Sequence, residues 1–135
     1  MTKQNQIYKC EICGNIVDVL HNGAGELVCC GQPMNLMEEK IKDEGMEKHV
    51  PVIEKSSVDD CQCKDCFLVK IGEVEHPMTE DHFIEWIEIV MENGKRTKKF
   101  LKSGDKPEFK FNVKKKVISI RSYCNIHGLW KHDVE

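Results

Sequence analysis

No stretch of this 135-residue chain approaches the roughly 18 consecutive apolar residues that a membrane-spanning helix requires, so no such span is expected. The opening Met-Thr-Lys-Gln-Asn-Gln is polar and lacks the apolar centre of a secretory signal. A cytoplasmic setting is therefore expected. Strong charge of one sign is also missing. The net charge is −3, which argues against a general nucleic-acid binder. Internal repeats and low-complexity tracts are absent as well. With 40% apolar and 32% charged residues, the chain reads as globular, and its length fits one ordinary domain or a small domain plus a very small one.

Against these absences stand eight cysteines. In a secreted protein they would suggest a disulfide framework. In a reducing compartment metal ligation is the better default. Four of them, Cys10, Cys13, Cys29 and Cys30, fall in residues 1–37, which hold few large apolar residues. A unit that small rarely folds on its own core, and a metal is one usual remedy. Ile7, Tyr8, Ile16, Val17, Val19, Leu20, Leu27 and Val28 are candidates for short strands there. Residues 38–48 are charged and read as a linker.

The region 49–135 reads as a run of strands. Val50–Glu54 and Phe67–Ile71 are short and β-rich. Phe83–Met91 is apolar and β-branched with a mixed period, so a strand is favoured over a helix. Asn93-Gly94 signals a hairpin, with Arg96–Leu101 as the return strand. Gly104-Asp105-Lys106-Pro107 marks a further turn. Phe109, Phe111 and Val113 alternate with polar residues. Val117–Tyr123 is expected to be the last strand. About seven short strands predict an all-β fold, with a β-sandwich for the larger domain.

Cys10-Glu-Ile-Cys13-Gly14 is a chelating knuckle, because two intervening residues let both thiolates reach one ion and the glycine permits a tight turn around the sulfur. Cys29-Cys30-Gly31 is less usual. Neighbouring side chains in a strand point oppositely, so joint ligation demands a bent backbone. Two disulfides or a structural zinc site are the competing readings, and four sulfurs suit zinc and iron alike. Further along, His76-Pro-Met-Thr-Glu-Asp-His82 places two imidazoles on either side of a short loop. Cys124-Asn-Ile-His127 can also bring two side chains to one ion. By composition alone, a shared metal site and surface histidines around an inert Cys124 are equally good readings.

The order of these elements resembles the desulfoferrodoxin family of superoxide reductases over nearly the whole chain. Cys10-x-x-Cys13 with Cys29-Cys30 is similar to that family's desulforedoxin-type iron site. Glu47-Lys48-His49, His76-Pro-Met, His82 and Cys124-Asn-Ile-His127-Gly-Leu-Trp130 match its other segments in order. The resemblance implies two iron ions. The first would sit on Cys10, Cys13, Cys29 and Cys30. The second would be held by His49, His76, His82 and His127 with the Cys124 thiolate on the axis and a sixth position open. It also implies an immunoglobulin-like sandwich after a small rubredoxin-like or desulforedoxin-like domain, and a homodimer. Superoxide would be the substrate, and a protein such as a rubredoxin the electron donor.

That chemistry suits the residues. Superoxide reduction takes one electron and two protons to hydrogen peroxide, and zinc supplies no electron. Imidazole suits ferrous iron, and a thiolate pushes electron density onto it. The anionic substrate calls for a local positive charge, for which Lys48 is the candidate, and Glu47 would occupy the open position in the oxidised state. The alternatives are a rubredoxin-like electron carrier, a superoxide dismutase and a zinc-stabilised interaction module. His21 and His132 read as exposed, His132 in a C-terminal tail. Trp86 and Trp130 read as core or site-wall residues, and Lys114–Lys116 as a solvated turn. Cys61, Cys63 and Cys66 belong to neither site. They are either free loop thiols, a redox pair or a soft-metal site.

Overall fold

Strands and turns make up the described residues 1–41, 51–55, 66–71, 76–112 and 116–134 of the structure, a computed structural model. Among them no helix is long and apolar enough to cross a membrane. The chain divides into two units, Met1–Glu38 and Glu39–Glu135.

The first unit contains β1 (Ile7–Lys9), β2 (Ile16–Asp18), β3 (Val28–Cys29), β4 (Gln32–Pro33) and β5 (Asn35–Leu36). β1 is the centre of an antiparallel sheet ordered β2-β1-β5, while β3 and β4 form a separate hairpin. Its buried apolar side chains are Ile7, Cys10 and Val19, whereas Ile12, Leu20, Val28 and Leu36 are exposed. So small a core leaves the unit dependent on its cysteine cluster. Val19, Leu20 and Leu27 lie outside the strands expected for them. Val19 still donates to Gln6 O and accepts from Asn5 N, but beyond it the chain turns toward Gly23, which hydrogen-bonds with Thr2.

The second unit contains β6 (Pro51–Lys55), β7 (Cys66–Ile71), β8 (Ile84–Met91), β9 (Arg96–Phe100), β10 (Glu108–Asn112), β11 (Val117–Cys124) and β12 (Gly128–Asp133). They form two antiparallel sheets, β10-β7-β6 and β12-β11-β8-β9. Val69, Ile71 and Phe111 from the first sheet meet Ile84, Ile87, Ile89, Met91, Val117, Ile120 and Cys124 from the second in one core, making an immunoglobulin-like sandwich. Gly94 at φ +84° closes the β8–β9 turn, and Asp105 Oδ2 accepts from Lys102 N in the turn before β10.

The mixed period of Phe83–Met91 has a clear cause. Both faces of β8 are buried. Ile87, Ile89 and Met91 enter the core, and Trp86, Glu88 and Val90 are buried on the opposite face. Trp86 stacks on Tyr123 of β11 with centroids 6.0 Å apart. The next row, Lys98–Glu88–Arg121–Lys131, runs straight across all four strands.

One expectation is corrected. Val117–Tyr123 is not the last strand, because β12 follows it and pairs with β11 from Cys124↔Gly128 to Ser119↔Asp133. His132 therefore lies in a strand opposite Ile120 and is half-buried, not in an exposed tail. The alternation that would have revealed β12 is broken because the adjacent Leu129 and Trp130 are both buried. His21 is exposed and Trp86 and Trp130 are buried, as the sequence suggested.

Candidate metal centres

The first cluster is assembled by two tight turns. Cys10 directly follows β1, Gly14 N donates to Cys10 O at 2.9 Å, and Cys10 N donates to Asn15 O at 2.8 Å. Gly14, at φ +85°, lets the chain reverse around Cys13. The second turn is the tip of the β3–β4 hairpin. Cys30 and Gly31 both have positive φ, 53° and 76°, as a two-residue type I′ turn requires. This is the bent backbone that adjacent cysteines need. The left-handed Cys30 brings its thiol to the same side as that of Cys29, with the two sulfurs 3.9 Å apart. Cys13 and Cys29 sulfurs are 3.5 Å apart, and Asn15 Nδ2 donates to Cys29 Sγ at 3.7 Å.

Four thiols this close compete over protons. The backbone N–H of Cys13 holds the Cys10 thiol down at about 7, despite burial. Hydrogen bonds with Cys13, Cys29 and Cys10 push Cys30 up to about 12, and Cys29 is raised chiefly by Cys13. Neighbouring thiolates disfavour one another unless a cation offsets their charge, so this donor set fits a metal ion.

The second cluster lies at one end of the sandwich. His76, His82 and Cys124 present donor atoms all within 4.8 Å of one another. The His76 and His82 rings meet edge-on with centroids 4.7 Å apart, and His82 and His127 rings are 5.0 Å apart. Cys124 Sγ lies 3.8 Å from His127 Nδ1. The structure thus brings His76, His82, Cys124 and His127 together. Glu47, Lys48 and His49 lie outside the described residues, as do Cys61 and Cys63.

Each of these side chains is placed by its local fold. Cys124 is the last residue of β11 and is fully buried in the core. Asn125–His127 form a three-residue turn closed by Gly128 at φ +88°. His82 ends a turn in which Thr79 N donates to His82 O at 2.9 Å and His82 N donates to Thr79 Oγ1 at 3.1 Å. His76 Nδ1 is 2.7 Å from Pro77 O. A carbonyl only accepts, so Nδ1 carries the proton and Nε2 keeps the lone pair that a metal takes. Imidazole nitrogens with one thiolate suit a redox-active iron.

Sequence reasoning missed several supporting residues. Pro77 supplies the carbonyl that orients His76. Lys40 Nζ donates to His127 O at 2.8 Å and lies 5.1 Å from the Trp130 ring centre. Asn125 bonds to Asp81 and Phe83, on either side of His82. Local pattern gives no sign of partners 42 and 44 positions away; only the position of Asn125 beside Cys124 hinted at a role.

The fold and the two clusters define a class: a two-domain all-β protein with one four-cysteine metal site and one histidine–cysteine metal site. The sequence matches the family model described as Desulfoferrodoxin over residues 41–133 and that described as Desulfoferrodoxin, N-terminal domain over residues 2–37. It is 53% identical over 133 residues to a desulfoferrodoxin from Syntrophotalea carbinolica, covering 98% of this chain and 99% of that one. The fold is similar to that of the superoxide reductase from Treponema pallidum, with a TM-score of 0.74 at 23% identity over 95% of this chain and 97% of that chain. A one-iron superoxide reductase from Giardia intestinalis aligns with a TM-score of 0.53 at 26% identity, over 67% of this chain and 99% of its own. This chain belongs to the desulfoferrodoxin family. Its cofactors are two iron ions, one on the cysteine cluster and one on the histidine–cysteine cluster.

Proposed function

We propose that this chain is a superoxide reductase in which His49, His76, His82, His127 and Cys124 hold the catalytic iron. The observation that carries this reading is the convergence of His76, His82 and Cys124 donor atoms within 4.8 Å, with His127 beside them. His49 fits by topology. Pro51 at the start of β6 pairs with Ile71 at the end of β7, so the chain toward His49 and the chain toward His76 leave from adjacent strand ends. Cys10, Cys13, Cys29 and Cys30 hold the first iron. Residues 1–37 form its domain, 38–48 the linker and 49–135 the catalytic domain.

The iron, when bound, supplies the single electron and an open coordination position. The residues supply the rest. Cys124, held in the core, would give the iron a thiolate, which raises the electron density of the site. The Pro77 carbonyl keeps His76 in the tautomer that binds through Nε2. The Lys48 ammonium draws in the superoxide anion and organises the water that delivers a proton. The Glu47 carboxylate would serve as a further ligand for the iron in its oxidised form. Hydrogen peroxide leaves as product. A rubredoxin-like protein restores the electron, and the protein works as a cytoplasmic homodimer.

Rapid mixing of the fully reduced protein with superoxide tests the reading. One equivalent should oxidise the second iron and yield peroxide without oxygen; oxygen evolution would indicate dismutation and overturn it. Lys48→Ile is expected to slow the bimolecular step by about tenfold and to flatten its dependence on ionic strength, because it removes the steering charge. An unchanged rate and salt slope, measured by stopped-flow, would rule out steering by Lys48.

A further inference from the structure

We propose that Asn125 is a positioning residue that fixes His82 relative to Cys124, an inference that rests on reading both side chains as ligands of one iron. Asn125 directly follows Cys124 and opens the turn to β12. It makes three hydrogen bonds to the segment that carries His82. Its Nδ2 donates to Asp81 O at 2.9 Å, its Oδ1 accepts from Phe83 N at 2.9 Å, and its own backbone N donates to Phe83 O at 3.2 Å. These bonds bracket His82 from the residue before it and the residue after it.

The strand ladder does not do this work. β11 and β8 pair regularly from Ser119↔Val90 to Tyr123↔Trp86, and the register then shifts before Cys124↔Ile84. The shift falls where a ligand must be placed, and Asn125 spans it. Thr79 secures the other side of His82, since His82 N donates to Thr79 O and Oγ1 at 3.3 and 3.1 Å. Thr79, however, belongs to the same loop as His82. Asn125 instead ties that loop to the strand end bearing Cys124, 42 residues from Phe83 in sequence.

The residue type follows from the geometry. The site needs a donor for Asp81 O and an acceptor for Phe83 N on one short side chain, and the asparagine amide offers both. An ionised aspartate offers acceptors only, and alanine neither. A thiolate and an imidazole sharing one ion must be held to within about 0.5 Å, which mobile loops do not achieve without such support.

The test uses the full-length, iron-loaded protein with Asn125→Ala and Asn125→Asp. Three quantities are read: the rate at which a chelator removes the second iron, the energy of its thiolate-to-iron charge-transfer absorption, and the absorption of the four-cysteine iron as internal reference. Asn125→Ala is expected to release the second iron roughly 10–100-fold faster and to shift its charge-transfer band, with the first iron unchanged. Asn125→Asp, which keeps the acceptor for Phe83 N, should fall between that variant and wild type. Release within about twofold of wild type and an unshifted band in Asn125→Ala would overturn the proposal. So would equal loss of both irons with a lowered unfolding temperature in both variants, which would make Asn125 a general fold residue. A wild-type protein without the band would overturn the ligand set itself, and this inference with it.

Discussion

Replacing Cys124 with alanine is expected to abolish superoxide reduction while leaving the four-cysteine iron in place. Cys124 has no exposed surface and belongs to the apolar core with Ile84, Ile87 and Ile120. Removing one sulfur there forfeits about 1 kcal/mol of burial and packing, which a folded domain tolerates. The chemical loss is larger. Residues that merely support a metal ligand typically cost about 10–100-fold when removed, so loss of the thiolate itself should reduce the rate by more than about 100-fold. Three readings separate the causes. The charge-transfer absorption of the second iron should vanish, the absorption of the four-cysteine iron should persist, and the unfolding temperature should change little. Retention of the rate within about tenfold would show that the thiolate is not an essential ligand.

The two sites were legible in the sequence to different depths, for physical reasons. Cys10 and Cys13 form a local knuckle, and the adjacency of Cys29 and Cys30 already demanded a bent backbone; the positive φ of Cys30 is how the chain meets that demand. The histidine site is not local. His76 and His82 come from a loop before β8, and Cys124 and His127 from the β11–β12 turn, so only the fold brings them together. Spacing alone left that site undecided, and the likeness of several segments in order to one family made it specific. Residues that act through distant backbone partners, Asn125 and Lys40 among them, left almost no local trace.

The fold shows the same division. Strands with one buried face were visible as alternation, as in Phe109 and Phe111. β8 was ambiguous because Trp86, Glu88 and Val90 are buried behind it as Ile87, Ile89 and Met91 are in front. β12 was missed because Leu129 and Trp130 are buried side by side. Least legible of all was the pairing of charges. Glu88 and Arg121 look like ordinary surface residues in the sequence, yet cross-strand register makes them buried partners.

That pairing sets the second large effect, Glu88→Gln. The Glu88 carboxylate accepts from Arg121 Nε at 2.7 Å and Arg96 Nη1 at 2.8 Å, and Lys98 Nζ lies 3.2 Å from its other oxygen. Arg121 is 3% exposed and has a second, longer contact of 3.5 Å to Glu39. Removing the central charge leaves a buried guanidinium without its main counter-ion. Breaking a buried pair in this way costs about 3–5 kcal/mol, which is a large share of a small domain's stability. Burial pushes the Glu88 carboxyl up, but the Arg121 hydrogen bond and the charges of Arg121, Arg96 and Lys98 outweigh it and hold the group below its ordinary 4.5. A depressed folded-state value means that this stabilisation is fully present above 4.5 and is lost as pH falls through the lower folded value. The stability gap between wild type and Glu88→Gln, measured by urea unfolding, should therefore be widest near neutral pH and close as acid protonates Glu88. A gap that stayed constant down to the acid limit would mean that the carboxylate's charge is not what holds this row of the sheet together.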